Sequence, residues 1–543
     1  MNKKIVAIFT ICMLVLCVAC GCVVDNDSPP ELDTTPAYYF DSAAPDNGDG
    51  SAEHPYNALD SVAGLRLVAG DIVAFRAGSK FSGSLRLVNI TGIADKPIVF
   101  TSYGDVATLG KPKFNGGGLV GSAVVYIENC QYLTVENMEI YDETIVEGDR
   151  RGVLVNATNP SGNDDIVTYS GLTLQNLYVH DIHGIVNAEN KGLSLASKVT
   201  GGVHVWTSDG KGRFDRLTIR ANKIENVENV GIATWYTPTL KASEKISPYS
   251  AEFERYAYTN VTIADNEICY VGKNAIFARH LLGGKISGNT MYETAIKCYA
   301  GNTVCTSFVW GTVVEHNESA YNRATLQDDG KLQDGCMLDA DLQSRDTVWQ
   351  YNYSHDNAFG LFINCTTYDP DNGIEDVATV RYNLSVHDYG QKGVVYVNYA
   401  AKNIRIHNNT FVLSAETSPI IIKSNAKRNF EFVDNIICNY SPDAGFDIAT
   451  YATATISNNL VYDLSECIDG WADFVVANKK GLYVDPAFVG VYSDQTERRG
   501  GEIAELFKLL PTSPAYGKST NIGGTTDYFG NPYANCIGFY CGR

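Results

Sequence analysis

The sequence predicts an all-β parallel β-helix, a β-solenoid closed by N- and C-terminal caps, and three observations predict it. First, a motif of the form apolar-x-apolar-x-(x)-Asn-x-apolar recurs, as in Leu133-Thr-Val-Glu-Asn137-Met-Glu-Ile, Leu172-Thr-Leu-Gln-Asn176-Leu-Tyr-Val, Leu217-Thr-Ile-Arg-Ala-Asn222-Lys-Ile and Val261-Thr-Ile-Ala-Asp-Asn266-Glu-Ile. Second, it returns around Asn289, Asn317, Asn352, Asn383, Asn409, Asn435 and Asn459 in steps of 23 to 35 residues, the length of one coil. Third, asparagine stands at the same turn each time, where stacked amides bond to one another and satisfy turn backbone groups. These asparagines read as a ladder, not a site. A propeller would need a more even period and would lack the ladder.

The N-terminus reads as targeting. Lys3-Lys4 precede an apolar run from Ile5 to Ala19, too short to span a bilayer. The run Leu16-Cys17-Val18-Ala19-Cys20-Gly21-Cys22 resembles a bacterial lipoprotein cleavage site, with Cys22 favoured over Cys20 as the lipidated residue. It departs from that pattern in having no Leu three residues before either cysteine. An ordinary secretory signal is the alternative, and both imply export. Residues 1–22 are thus a lipoprotein signal, and 23–37, with Asp25-Asn26-Asp27 and Ser28-Pro29-Pro30, a solvated tether. That acidic stretch also resembles the surface-export tags of lipoproteins in the Bacteroides group.

Residues 38–115 suit an N-terminal cap and first coils. A strand at Tyr38, the turn Asp46–Gly50, a helical stretch Ala58–Leu67 and a Gly70–Gly78 strand lead to strands at Leu85–Val88 and Pro97–Thr101. The arrangement resembles the N-terminal cap of secreted right-handed parallel β-helix proteins. Residues 116–465 carry the coils and their inserted loops, notably 237–258. Within them, Gly201–Trp206 puts His204 and Trp206 on one face. Trp206, Trp235 and Tyr236 offer flat faces to sugar rings, or else pack a long loop against the solenoid. Residues 466–543, with Asp485-Pro486, Leu510-Pro511 and Asp527–Tyr533, resemble the C-terminal cap of bacterial polysaccharide-active β-helix proteins.

A net charge of −20 over 543 residues, 45% of them apolar, argues against nucleic acid and against anionic membrane surfaces as partners. Membrane contact is expected through the lipid anchor alone, and a monomer is expected. Ten cysteines beyond the signal are disulfide candidates in an oxidising compartment, as Cys298/Cys305, Cys336/Cys365, Cys438/Cys467 and Cys536/Cys541. The 29-residue spacing of Cys336 and Cys365 is close to one repeat and predicts a bridge between neighbouring coils. No Cys-x-x-Cys occurs beyond the signal, so a structural zinc is not expected.

The densest group of acids is Asp334-Gly-Cys-Met-Leu-Asp339-Ala-Asp341, followed by Asn352-Tyr-Ser-His355-Asp356-Asn357. Read as a strand, Leu338 and Ala340 face the core while Asp339 and Asp341 point outward, about 6.5–7 Å apart along the chain. Three readings compete. Asp339 and Asp341 are an acid/base or nucleophile pair of a glycosidase, tuned by Asp334, with the estimated separation slightly favouring inversion. Alternatively the acids hold calcium for a polysaccharide lyase, although Arg323, Lys331 and Arg345 lie in no lyase motif. In the third reading they decorate a non-catalytic glycan-binding surface protein. No cofactor is required by the first reading; calcium enters only with the second. The pairs His180-Asp181, His355-Asp356 and His387-Asp388 read as turn chemistry, with His355 alone near enough in sequence to serve as a substrate contact beside His204, Trp206, Trp235 and Tyr236.

The segment Asp334–Asp341 with Gln350–Asn357 is similar to one found in exported β-helix proteins of glycan-degrading gut and soil bacteria, several of them glycoside hydrolases. The resemblance implies a pectate-lyase-like right-handed superfold and a polysaccharide or complex oligosaccharide substrate. The polygalacturonase-type pattern (Asn-x-Asp, an adjacent Asp pair, Gly-His-Gly) is not present, since Asp328-Asp329 lacks its companions. Fold alone does not choose among the functions.

Overall fold

The computed structural model describes residues 34–186, 200–236, 250–298, 300–324, 333–365, 378–398, 403–425, 430–449, 451–463, 469–493, 495–520 and 524–542. Cys20, Cys22, residues 237–249, Asp328, Asp329, Lys331 and Cys467 lie outside them.

The described chain is a parallel β-helix. Three long sheets run along it, and each coil contributes to them in turn. Sheet 1 has fourteen strands from Tyr38–Phe40 to Ala454–Ser457, sheet 2 has fourteen from Lys80–Ser82 to Leu482–Tyr483, and sheet 3 has twelve from Leu85–Val88 to Gly445–Ile448. A six-stranded sheet widens the middle coils between Val167–Ser170 and Ser344–Arg345. Alternation fills the interior: Leu85 and Leu87 are buried while Arg86 and Val88 between them are exposed. On sheet 1 the inward positions stack as Phe100, Val135, Leu174, Ile219, Ile263, Ile286, Val314, Trp349, Val380, Ile406 and Phe432, all buried. Each such side chain stabilises the fold by about 1.5–3 kcal/mol, and the column continues for as long as the repeat does.

The asparagine ladder forms, but it begins two coils later than the motif suggests. From Asn222 through Asn266, Asn289, Asn317, Asn352, Asn383, Asn409, Asn435 and Asn459 to Asn478, each side-chain amide donates to the next at 2.9–3.1 Å. From Asn222 to Asn459, the residue before each ladder Asn turns the chain in the left-handed region, as at Ala221 (φ 52°), Asp265 (56°) and Tyr351 (58°). Asn137 and Asn176 themselves occupy that left-handed position, at 58° and 50°, and leave the ladder position to Met138 and Leu177. Their motif is one residue shorter, so the same letter lands on the outside of the turn.

The helix Trp471–Ala477 closes the last coil, with Phe474 stacked 4.1 Å from Phe446. The chain then returns along sheet 2, where Tyr492, Ile503, Phe507 and Phe539 cover the outward Tyr353, Leu384, Val386, Val412 and Cys438. Arg498 locks this strap through two bonds to Asp356, at 2.8 and 2.9 Å. No described helix is long and apolar enough to cross a membrane.

Of the expected disulfides among described residues, Cys536–Cys541 is present, whereas Cys305, Cys336, Cys365 and Cys438 are free thiols. Register explains the failure of Cys336–Cys365. Leu338 pairs with Phe362, so Cys336 lies two residues before its strand's reference point and Cys365 three after. That offset is about 16 Å along the strand, far beyond disulfide reach.

Candidate active site

The outer face of sheet 3 carries the acid cluster. Leu338 and Ala340 enter the core and Asp339 points away from it, as alternation requires. The partners of Asp339 on the adjacent coils are Cys305 and Ile363. The backbone N–H of Cys365 donates to Ala340 O at 3.1 Å, and one ligand atom each of Asp339, Asp341 and Cys365 lie within 4.8 Å of one another. Cys305 Sγ sits 4.0 Å from Asp341 Oδ2.

Burial divides the aspartates. Asp339 is 5% exposed, whereas Asp334 and Asp341 are half-buried and reach solvent. Two open neighbouring carboxylates were expected at 339 and 341; only Asp341 is open, with Asp339 set between Cys305 and Ile363 on the adjacent coils. Asn302 donates from Nδ2 to Asp339 Oδ2 at 2.8 Å and accepts at Oδ1 from the N–H groups of Gly335 (3.0 Å) and Cys336 (2.8 Å). One buried amide therefore ties Asp339 to the segment bearing Asp334. Burial first, then the charges of Asp341 and Asp334, pushes the Asp339 carboxyl well above the ordinary range and favours its neutral form. Burial likewise pushes the thiols of Cys305, Cys336 and Cys365 well up, so they are poor nucleophiles here.

The same face continues toward the N-terminus through Phe277, Arg279, Trp235, His204 and Trp206. Most of these are walls rather than platforms. Trp235 is fully buried, 5.5 Å from Phe277 and capped by the Arg279 guanidinium at 4.2 Å. Tyr236 is buried against Phe253 and Ala257 and donates its hydroxyl to Gly210 O. His204 is fully buried, and burial followed by Arg151 holds its ring well below the usual range. The structure thus places these three expected substrate contacts in packed, buried positions. Trp206 alone stays half-buried, with Arg151 5.3 Å over its ring, four coils or about 19 Å from the acid cluster.

His355 belongs to sheet 2, not to this face. It is fully buried, stacked 4.7 Å from Tyr353, with Nδ1 at 2.7 Å from Asp356 and Nε2 at 3.2 Å from Glu318. Closeness in sequence misled, because one coil passes from sheet 3 through sheet 1 before it reaches sheet 2. Asp356 is pushed up by burial, but His355, His387 and Arg498 hold it far below the ordinary range. The pair anchors the strap. Of the cations weighed for lyase chemistry, Arg323 pairs with Glu293 at 2.8 Å beside sheet 2, and Arg345 is buried in the six-stranded sheet.

Sequence reasoning missed Asn302, Arg279, Lys392 and the two flanking thiols. Lys392 donates to Gln333 O at 3.1 Å and lies 5.3 Å over Tyr396, latching the Asp334 segment to a later coil. Aligning coils on Leu338 would have found Cys305. Asn302 lies in an irregular turn and carries no periodic signal.

No protein-family profile matches the chain. A lacto-N-biosidase of Bifidobacterium longum subsp. longum is 28% identical across 74% of this chain, which spans 29% of that protein's length. The crystal structure of a GH136 lacto-N-biosidase from Eubacterium ramulus superposes with a TM-score of 0.59 at 23% identity, covering 76% of this chain and 68% of that one. Its selenomethionine derivative gives 0.58 at 24%, covering 72% and 67%. Those likenesses are to the fold.

Proposed function

We propose that the chain is a glycoside hydrolase that cuts an oligosaccharide on the outer face of sheet 3, with Asp334 and Asp341 as the reacting carboxylates. The observation that carries this is the division of burial: one buried carboxyl biased toward its neutral form, flanked by two that reach solvent. Glycosidic cleavage needs one protonated and one ionised carboxyl across the bond. Asp339, tied to the Asp334 segment through Asn302, sets the field in which the flanking pair divides those roles. The similarity to lacto-N-biosidases supports lacto-N-biose-containing oligosaccharides as the substrate class, and the lipobox-like run supports anchoring through Cys22 or Cys20.

The test is release of disaccharide from a chromogenic lacto-N-bioside and from a wider glycan panel. New reducing ends and the ultraviolet absorbance of unsaturated uronates are read in the same wells. Reducing ends without that absorbance, lost in both Asp334→Asn and Asp341→Asn, support the proposal. Unsaturated products would replace it with a lyase. Full activity in either variant would remove that residue from the reacting pair.

A further inference from the structure

We propose that the outer face of sheet 3 binds one thiophilic divalent cation of the zinc class through Asp339, Asp341 and Cys365, and that the ion shuts the site off by occupying its carboxylates. The second clause rests on the hydrolase reading above; the first does not.

Geometry makes the case. Three ligand atoms from two adjacent coils already lie within 4.8 Å of one another, and Cys305 on the preceding coil stands at the edge, 4.0 Å from Asp341 Oδ2. Zinc holds oxygen at about 2.0–2.2 Å and sulfur at about 2.3 Å, so small side-chain rotations close the cluster around an ion. An independent observation points to a ligand. Asp339 is 5% exposed, its Oδ2 is satisfied by Asn302, and its buried Oδ1 meets no donor at hydrogen-bond geometry among the described residues, with the Cys305 thiol as the side chain's other polar neighbour. A buried carboxyl oxygen left in that state is costly even in the neutral form, and a cation that displaces the proton is one way to satisfy it. Asn302 would then act as the outer partner that fixes a ligating carboxylate.

The donor set chooses the metal. Calcium and magnesium take oxygen ligands alone, whereas a thiolate beside carboxylates suits zinc or cadmium. Ion binding sends the Cys365 thiol proton, and the proton on Asp339, to solvent, which makes affinity rise with pH. Three protein ligands leave a fourth position for water or a sugar hydroxyl.

The full chain, with thiols reduced, is titrated with cobalt(II). One ion per chain with a near-ultraviolet thiolate-to-cobalt band is expected, displaced by zinc, weakened at least about tenfold in Cys365→Ser and retained in Cys438→Ser. Circular dichroism checks folding; if Cys365→Ser misfolds, Asp341→Asn must show the same weakening. A wild-type titration without the band overturns the site, as does a band undiminished in the Cys365 variant. Zinc should lower hydrolysis in the wild type at least about tenfold, and far less in Cys365→Ser against that variant's own zinc-free rate. A band without inhibition overturns the shut-off. A chain inactive on every glycan would overturn the hydrolase reading and leave the cobalt result standing alone.

Discussion

Replacing Asn352 by Ala should destabilise the solenoid severely, and the structure says by how much. The Asn352 side chain makes four hydrogen bonds in a fully buried position: from Asn317 N (3.1 Å) and Asn317 Nδ2 (3.0 Å), and to Val314 O and Asn383 Oδ1 (both 3.0 Å). Two partners survive its loss, since Asn317 Nδ2 also donates to Ile286 O and Asn383 Oδ1 also accepts from Asn352 N. The Asn317 N–H loses the acceptor that faced it. An orphaned buried donor costs about 1–3 kcal/mol, and the three remaining bonds about 0.5–1.5 kcal/mol each, so about 3–7 kcal/mol is expected. The control is Asn176→Gly. Asn176 is exposed, and glycine adopts its φ of 50° freely, so that change should cost less than about 1 kcal/mol. Coils of a solenoid open locally, so hydrogen exchange of peptides spanning 313–320 is the assay, with urea midpoints alongside. A loss of 3 kcal/mol speeds that exchange about a hundredfold. Wild-type exchange in Asn352→Ala, or an equal cost in Asn176→Gly, would refute the division between an inner ladder and an outer turn.

Other consequences are as direct. Asp334→Asn and Asp341→Asn should abolish turnover with unchanged melting, because half-exposed carboxylates add little to the core; a collapsed melt would make them structural instead. The buried Asp388 accepts from Ser354, Ser385 and Asn357, yet burial raises its carboxyl from 3.8 to about 6. A raised acid contributes stability that is complete below the unfolded value and lost as pH climbs through the folded one. About 3 kcal/mol should therefore disappear between pH ~4 and ~7, and Asp388→Asn should flatten that slope in pH-dependent urea melts. Arg498→Met should cost about 3–5 kcal/mol by leaving Asp356 short of a partner, and should free the strap to limited proteolysis. Alkylation of the unfolded, unreduced protein should label both Cys336 and Cys365; protection of the pair would contradict the strand register.

Much of the fold was legible because a solenoid repeats its physics. Every coil restates the inward column of sheet 1 and the amide at the turn, so a weak local signal is read many times. The ladder's start was not legible, because Asn137 and Asn222 carry the same letter and differ by one residue of spacing. The acid cluster was found by alternation at Leu338 and Ala340. His355 was placed wrongly, because distance along a coil says little about which of three sheets a residue reaches. Asn302 was invisible: its role depends on the carboxylate of Asp339 and two backbone N–H groups more than thirty residues away.

In a β-helix, pointing away from the core and facing water are different conditions. Alternation settles the first and says nothing of the second. Sheet 2 shows this with apolar residues: Tyr353, Leu384, Val386 and Val412 point outward but are sealed by the returning strap. Sheet 3 shows it with polar ones: Asp339 and His204 point outward and are buried, while Trp206 on the same strand as His204 stays half-exposed. A carboxyl lifted off the core yet denied water is the setting in which burial and like charge both favour the neutral form. The side chains flanking an outward acid on the adjacent coils thus help decide whether it keeps its proton. A substitution at the apolar neighbour of Asp339 on the next coil, such as Ile363→Ala, should lower the Asp339 pKa without touching any carboxylate. That fall would read out as a shift of its carbon-13 carboxyl titration toward lower pH, and an unmoved titration would mean that charge from Asp341 and Asp334 outweighs burial in setting it.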